Sequence, residues 1–225
     1  MNSSRAIVVF GDVIQSRADP AGSSAWLRAL CADLQAAVGA DGVAAFGFTQ
    51  GDELQALLRP DADPIGLVLR AAFAPDARPM RWAITFGAVE PGRGPATQRS
   101  GTAFIAARAA LEETRRRRTS LRVVTGDAEI DLLLDDLAPV LGTALEALSP
   151  TQRRVAGMIL VDGLHRAEVA DRLGVSRATV SVAAMRGGVP SLERLSRAIR
   201  TLIKRSRPAA PSRAATPGTS TELLT

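Results

Sequence analysis

The run Ala6-Ile7-Val8-Val9-Phe10, apolar at every position and stopped by Gly11-Asp12, constrains this chain more than any other segment. It is too short to be an independent helix. With no polar residue at alternate positions, it reads as a strand buried at the centre of a sheet. The remaining pattern supplies partners for it. Ala25 to Val38 carries Trp26, Leu27, Leu30, Leu34 and Val38 at helical spacing, after a loop holding Pro20, Gly22, Ser23 and Ser24. Val43 to Phe48 and Leu54 to Leu58 are strand segments whose connection, Thr49 to Glu53, has hairpin length. A helix over Asp63 to Phe73, a strand over Arg81 to Val89, a helix over Thr102 to Arg117 and a strand over Leu121 to Val124 complete the order β-α-β-β-α-β-α-β. This pattern predicts an α+β fold: a ferredoxin-like antiparallel sheet with its helices on one face.

Beyond the sheet the periodicity is helical. Ala128 to Leu148 places Ile130, Leu133, Leu134, Leu137, Val140, Leu141 and Leu145 on one side, broken by Pro139 and Gly142, which suggests a connecting helix pair. Residues 1–126 are therefore expected to form the α+β domain, 127–148 a helical connector, 149–207 an all-α domain and 208–225 a disordered tail. Charge follows this division. Through residue 148 there are 15 Lys and Arg against 18 Asp and Glu, a net of −3; from 149 to 207 there are 12 against 4, a net of +8. A positive field concentrated on a small helical unit suits a polyphosphate partner.

That unit contains a recognisable arrangement. Ser149-Pro150 starts a helix with a capping hydroxyl and a proline at the first position. Val169, Ala170 and Leu173 form the apolar face of the next helix. Gly174 allows the left-handed backbone of a tight turn, Val175 is expected to plug the corner, and Ser176 caps a third helix with core positions Val180 and Ala184. The string from Ala167 to Ser181 resembles the helix-turn-helix of bacterial repressors and of region four of sigma factors, and Leu148 to Arg153 resembles the opening of the latter. The resemblance implies a double-stranded DNA partner, with Ser176, Arg177, Thr179, Ser181 and Arg186 at the groove and Arg197 and Lys204 on phosphates. A helical hairpin that contacts only protein is the alternative.

The sheet half carries two acidic segments, Phe10 to Arg17 and Thr49 to Gln55, and in the inferred topology Asp12 and Asp52 approach each other. With Arg81 to Gly87 and Gly101 to Arg108, they resemble the SatD family over roughly residues 5 to 125, and more distantly the class III nucleotidyl cyclase palm. The resemblance implies Asp12 and Asp52 as metal ligands, Mg2+ being the possible ion, and Arg108, with Arg17, as nucleotide-binding residues. Phe48 and Phe104 stand where the cyclases carry a base-reading lysine and an asparagine, which points to a nucleotide-sensing or vestigial palm rather than turnover, so no catalytic residue is assigned. The same residues also admit a plainer reading, in which Asp12 and Asp52 cap turns, arginines neutralise them and the domain serves to form a homodimer. The run Arg115 to Arg118 at a helix end admits a phosphate contact, although a solvated, dipole-favoured helix terminus is the commoner reading of such a run.

Other classes are narrowed by composition. Cys31 and His165 are single residues of their kinds, which removes an internal disulfide and a zinc site of His and Cys. Without an apolar stretch of about 18 residues, no membrane association is expected and a cytoplasmic location follows. The functional expectation is a DNA-binding transcriptional regulator whose first domain dimerises or senses a nucleotide or metal. A magnesium-dependent nucleotide-binding or nucleotidyl-transfer enzyme with an accessory helix-turn-helix is the alternative.

Overall fold

The computed structural model describes residues 4–49 and 52–207; Gln50 and Gly51 of the second acidic segment, and the tail from Pro208 that was expected to be disordered, lie outside the described residues. In chain order the elements are β1 (Ser4–Val13), α1 (Pro20–Val38), β2 (Gly47–Thr49), β3 (Glu53–Leu58), α2 (Pro64–Ala72), β4 (Met80–Val89), α3 (Thr102–Arg117) and β5 (Leu121–Val124). The helices α4 (Ala128–Glu146), α5 (Pro150–Leu160), α6 (Arg166–Leu173), α7 (Arg177–Arg186) and α8 (Val189–Arg205) follow. The α+β architecture and the order of strands and helices match the sequence reading. α1 begins five residues earlier than expected because Asp19 caps it, accepting a hydrogen bond from the Gly22 amide at 3.0 Å, with Pro20 in the first turn.

The sheet order is β2-β3-β1-β4-β5, so β1 is central, as its composition requires. Two expectations need correction. The helices cover both faces: Ile7, Val9 and Val13 share one apolar cluster with Leu27 and Leu34 of α1 and Ile65 of α2, whereas Ala6, Val8 and Phe10 pack with Ala103, Ala107 and Leu111 of α3. A strand apolar on both sides cannot leave one side to water. The sheet is also mixed, because β5 runs parallel to β4 while the other pairs are antiparallel. α3 is the crossover connection that a parallel neighbour needs.

β1 continues through Gly11 to Val13, so Asp12 lies within the ladder, opposite Glu53 on one side and Arg81 on the other, rather than in a turn. Gly11 permits this. A β-carbon there would stand 2.6 Å from Cζ3 of Trp82, whose ring occupies the space.

α4 is one helix running through Pro139, not a helix pair. Gly142 replaces a break with a close approach: its missing β-carbon would fall 2.2 Å from Ser120 Oγ at the entry to β5. Leu134, Ala138, Leu141 and Leu145 are buried, but Leu133 and Val140, expected on the same side, are exposed together with Leu132. The helical part rests on the sheet part. α8 packs on α4 and α2, Arg200 Nε meets Asp63 at 2.9 Å, Arg207 donates to the Ala62 carbonyl at 2.9 Å, and one apolar cluster runs from the sheet through α4 to α8. No helix among the described residues is long and apolar enough to cross a membrane.

Gly11→Val forces its side chain into the Trp82 ring and is expected to lower unfolding free energy by about 1–3 kcal/mol, the usual cost of overpacking. Urea denaturation measures this, and an unchanged midpoint would contradict the packing described.

Candidate nucleic-acid interface and strand-end charge cluster

The helical site is built from caps. Ser149 Oγ accepts from the Gln152 amide at 3.4 Å while Gln152 Oε1 accepts from the Ser149 amide at 2.9 Å, a reciprocal pair that starts α5. α6 ends at Gly174, whose φ of 65° takes the chain through the left-handed region and into the turn. Ser176 then caps α7: its Oγ accepts from the Thr179 amide at 3.1 Å and shares a hydrogen bond with Thr179 Oγ1 at 2.9 Å. Val180 and Ala184 are buried where α7 packs on α5 and α6. Val175 does not plug the corner; it is 41% exposed.

This burial fixes which side of α7 is presented. Arg177, Ala178, Thr179, Val182, Met185 and Arg186 are exposed, and Ser181 is half-buried. Arg177, Arg186, Arg197 and Lys204 are exposed and form no ion pair among the described residues. Their charge is available to an outside partner. Sequence reasoning underweighted the apolar ridge beside them, Val182 at 49% and Met185 at 62% exposure.

At the other end of the molecule, strand pairing gathers charge on the α3 face of the sheet. Asp12 and Glu53 are cross-strand neighbours, each 5% exposed. Arg108 binds both oxygens of Glu53, with Nη2 to Oε1 at 2.7 Å, and its guanidinium lies 4.7 Å from the Phe10 ring centre. Gln55 Nε2 donates to Glu53 Oε1 at 2.9 Å. Arg115, two helical turns beyond Arg108, reaches Asp12 Oδ1 at 3.0 Å, and Arg81 stands 3.7 Å from Asp12 Oδ2. Asp52 lies beyond this pairing and accepts from Ser16 Oγ at 2.8 Å.

Burial pushes the Asp12 carboxyl above its ordinary value and the Asp52 charge adds to the rise, although Arg115 and Arg81 oppose it. Burial works against the charge of Arg115, but Asp12 outweighs it and the net shift is upward. Arg108 is likewise raised, first by its hydrogen bonds to Glu53. The residues do not fit a divalent cation. Both Asp12 oxygens already face guanidinium groups, and no cluster of three or more His, Cys, Asp or Glu able to hold a metal occurs among the described residues.

Residues 140–187 match the family model of sigma-70, region 4. The match begins inside α4 and ends just after α7, so region 4 takes in the end of α4 with α5, α6 and α7 and leaves the sheet and α8 outside it. Among solved structures, a bacterial light-regulated adenylyl cyclase is 17% identical over 55% of this chain and 77% of its own, with a TM-score of 0.41. A second structure of a bacterial light-regulated adenylyl cyclase is 14% identical over 55% of this chain and 44% of its own, with a TM-score of 0.37, so the chain spans less than half of that protein. A regulator of polyketide synthase expression from Bifidobacterium adolescentis is 18% identical over 92% of this chain and 83% of its own, with a TM-score of 0.24. No curated protein matches the chain.

The region 4 segment contains Ser176, Arg177, Thr179, Ser181 and Arg186, whereas Arg197 and Lys204 lie on α8 beyond it. In the sheet part, Asp12 and Arg108 belong to the charge cluster. Arg17 is exposed on a short turn, Ser16–Ala18, and joins no ion pair among the described residues. Glu53 and Arg81 were not assigned a site role from sequence, and Arg115 was read only as part of the arginine run at the helix end. Alternation would have placed Glu53 opposite Asp12, and the seven-residue interval from Arg108 would have placed Arg115 on the same helix face. Arg116 and Arg117 pair with Glu113, whose carboxyl they hold down to about 2, so only part of the arginine run is a solvated helix end.

Two outcomes are expected. Arg108→Met leaves Glu53 buried without its cation and should cost on the order of 2 kcal/mol; adding Glu53→Gln should recover at least half, and strictly additive losses in urea would refute the pairing. In carbon-detected NMR titration the Asp12 carboxyl should titrate above 3.8, because burial disfavours its charge, and move down in Asp52→Asn, which removes a neighbouring negative charge; stability correspondingly falls as pH rises from the unfolded to the folded value. A midpoint at or below 3.8 would refute it.

Proposed function

We propose that this protein is a DNA-binding transcriptional regulator in which α7 enters the major groove. The observation that carries the reading is the exposed face of α7, set by the Gly174 turn and the Ser176 cap within the region 4 match, with Arg177 and Arg186 at its two ends and in no ion pair among the described residues. Arg177 and Ser181 read base edges and Arg186 lies beside them, while Thr179 and Ser176, engaged with each other in the cap, set the pose and offer their remaining hydrogen-bonding capacity to phosphate. Arg197 and Lys204 on α8 contact the backbone.

The sheet part, in this reading a SatD-like palm, pairs two chains and senses an anionic ligand such as a nucleotide. Two observations support these roles. Leu132, Leu133 and Val140 expose an apolar stripe on α4 suited to a second copy, and two helix-turn-helix units bind two half-sites as a dimer. Arg81, Arg108 and Arg115 converge at the strand ends, where a phosphate would compete with Asp12 and Glu53 for them.

Binding of the intact chain to mixed genomic fragments at several salt concentrations tests the proposal. Selected fragments should be retained with an affinity that falls steeply as salt rises. Arg177→Ala with Arg186→Ala should weaken the selected fragments by about tenfold or more. No binding at low salt, or binding indifferent to the double substitution, would defeat it.

A further inference from the structure

Where the sheet part meets the helical part there is a cavity of about 250 Å3. Its apolar wall is assembled from Met80 and Trp82 of β4, Leu121 of β5, Val68 of α2 and Leu145 of α4. Arg78, Glu146 and Arg153 also line it. Arg78 is already engaged, donating to Ser23 Oγ at 2.9 Å and to Asp19 at 2.7 Å.

The other two charges meet no opposite charge among the described residues. Arg153, half-buried, reaches only the Ala72 and Leu148 carbonyls, each at the long distance of 3.5 Å, and has no carboxylate partner among the described residues. A partly desolvated guanidinium held by two weak backbone contacts attracts an anion. Glu146, exposed at the end of α4, forms no ion pair among the described residues, with Arg153 or with any other cation. One unmatched cation and one unmatched anion thus stand on the wall of a single apolar chamber. The volume lies just under the roughly 300 Å3 at which pockets for drug-sized ligands begin, which suits a ligand of amino-acid size.

We propose that this cavity binds a free apolar α-amino acid as its zwitterion, the carboxylate on Arg153, the ammonium on Glu146 and the side chain against Trp82, Leu121 and Leu145. The place of Arg153 gives such a ligand leverage. Its two carbonyl contacts lie at the end of α2 and just before α5, so a ligand that takes the guanidinium acts at the joint carrying the helix-turn-helix.

Calorimetric titration of the intact chain with L-leucine, L-methionine and L-phenylalanine, beside isocaproate and isoamylamine, tests this. Isocaproate lacks the ammonium and isoamylamine lacks the carboxylate. At least one amino acid should bind saturably, and both leucine analogues should bind about tenfold more weakly than leucine or worse. Arg153→Gln should weaken amino-acid binding by about tenfold, and Glu146→Gln should weaken leucine while leaving isocaproate unchanged. Ala71→Leu, which fills the chamber without altering a charge, should abolish binding, with cooperative urea unfolding showing that each variant is folded. Absence of saturable binding by all three amino acids overturns the proposal, as does equal binding of leucine and isoamylamine, or unchanged affinity in folded Arg153→Gln. The titration contains no DNA, so its failure is separate from failure of the regulator reading.

Discussion

Burial of β1 on both faces is the constraint from which the rest of the structure follows. Because Ile7 and Val9 point to one side and Val8 and Phe10 to the other, the chain must supply a layer on each. α1, α2 and α4 supply the first, and α3 the second. The strand can end in charge only where it leaves these layers, and there Asp12 meets Glu53 across the ladder and Arg108 and Arg115 from α3. Removing such carboxylates from water without cations would cost several kcal/mol apiece. The arginines of α3 are therefore part of what allows β1 to be central.

The helical part is built on the same core. α4 closes over β5 at Gly142, α8 lies on α4, and Arg200 and Arg207 tie its far end to Asp63 and Ala62. α5, α6 and α7 complete the apolar cluster, and the outer side of α7 stays exposed. Arg177 and Arg186 on that side form no ion pair among the described residues. At the strand ends, by contrast, Arg81, Arg108 and Arg115 each already face a carboxylate.

The helix-turn-helix was legible because its signals are local. Ser149-Pro150, Gly174 and Ser176 act through hydrogen bonds and backbone angles within a few residues of themselves, so their roles survive in any fold. The strand-end cluster was only half legible. Asp12 and Arg108 were found, but Asp52 was expected to be Asp12's partner, and Glu53 takes the opposing position because β1 runs three residues further than its apolar run suggests. That extension depends on Gly11 admitting the Trp82 ring, a contact between residues 71 positions apart.

By itself the sequence determined the element order, the central strand, the caps of the DNA-reading type of turn and the concentration of positive charge after residue 148, since each depends on periodicity, side-chain chemistry or simple counting. Tertiary structure decided the rest. It turned the fifth strand parallel, placed helices on both faces, carried α4 unbroken through Pro139, and chose which carboxylate each arginine neutralises. These outcomes depend on which distant surfaces meet, and a chain's local preferences carry no record of that until packing selects among them.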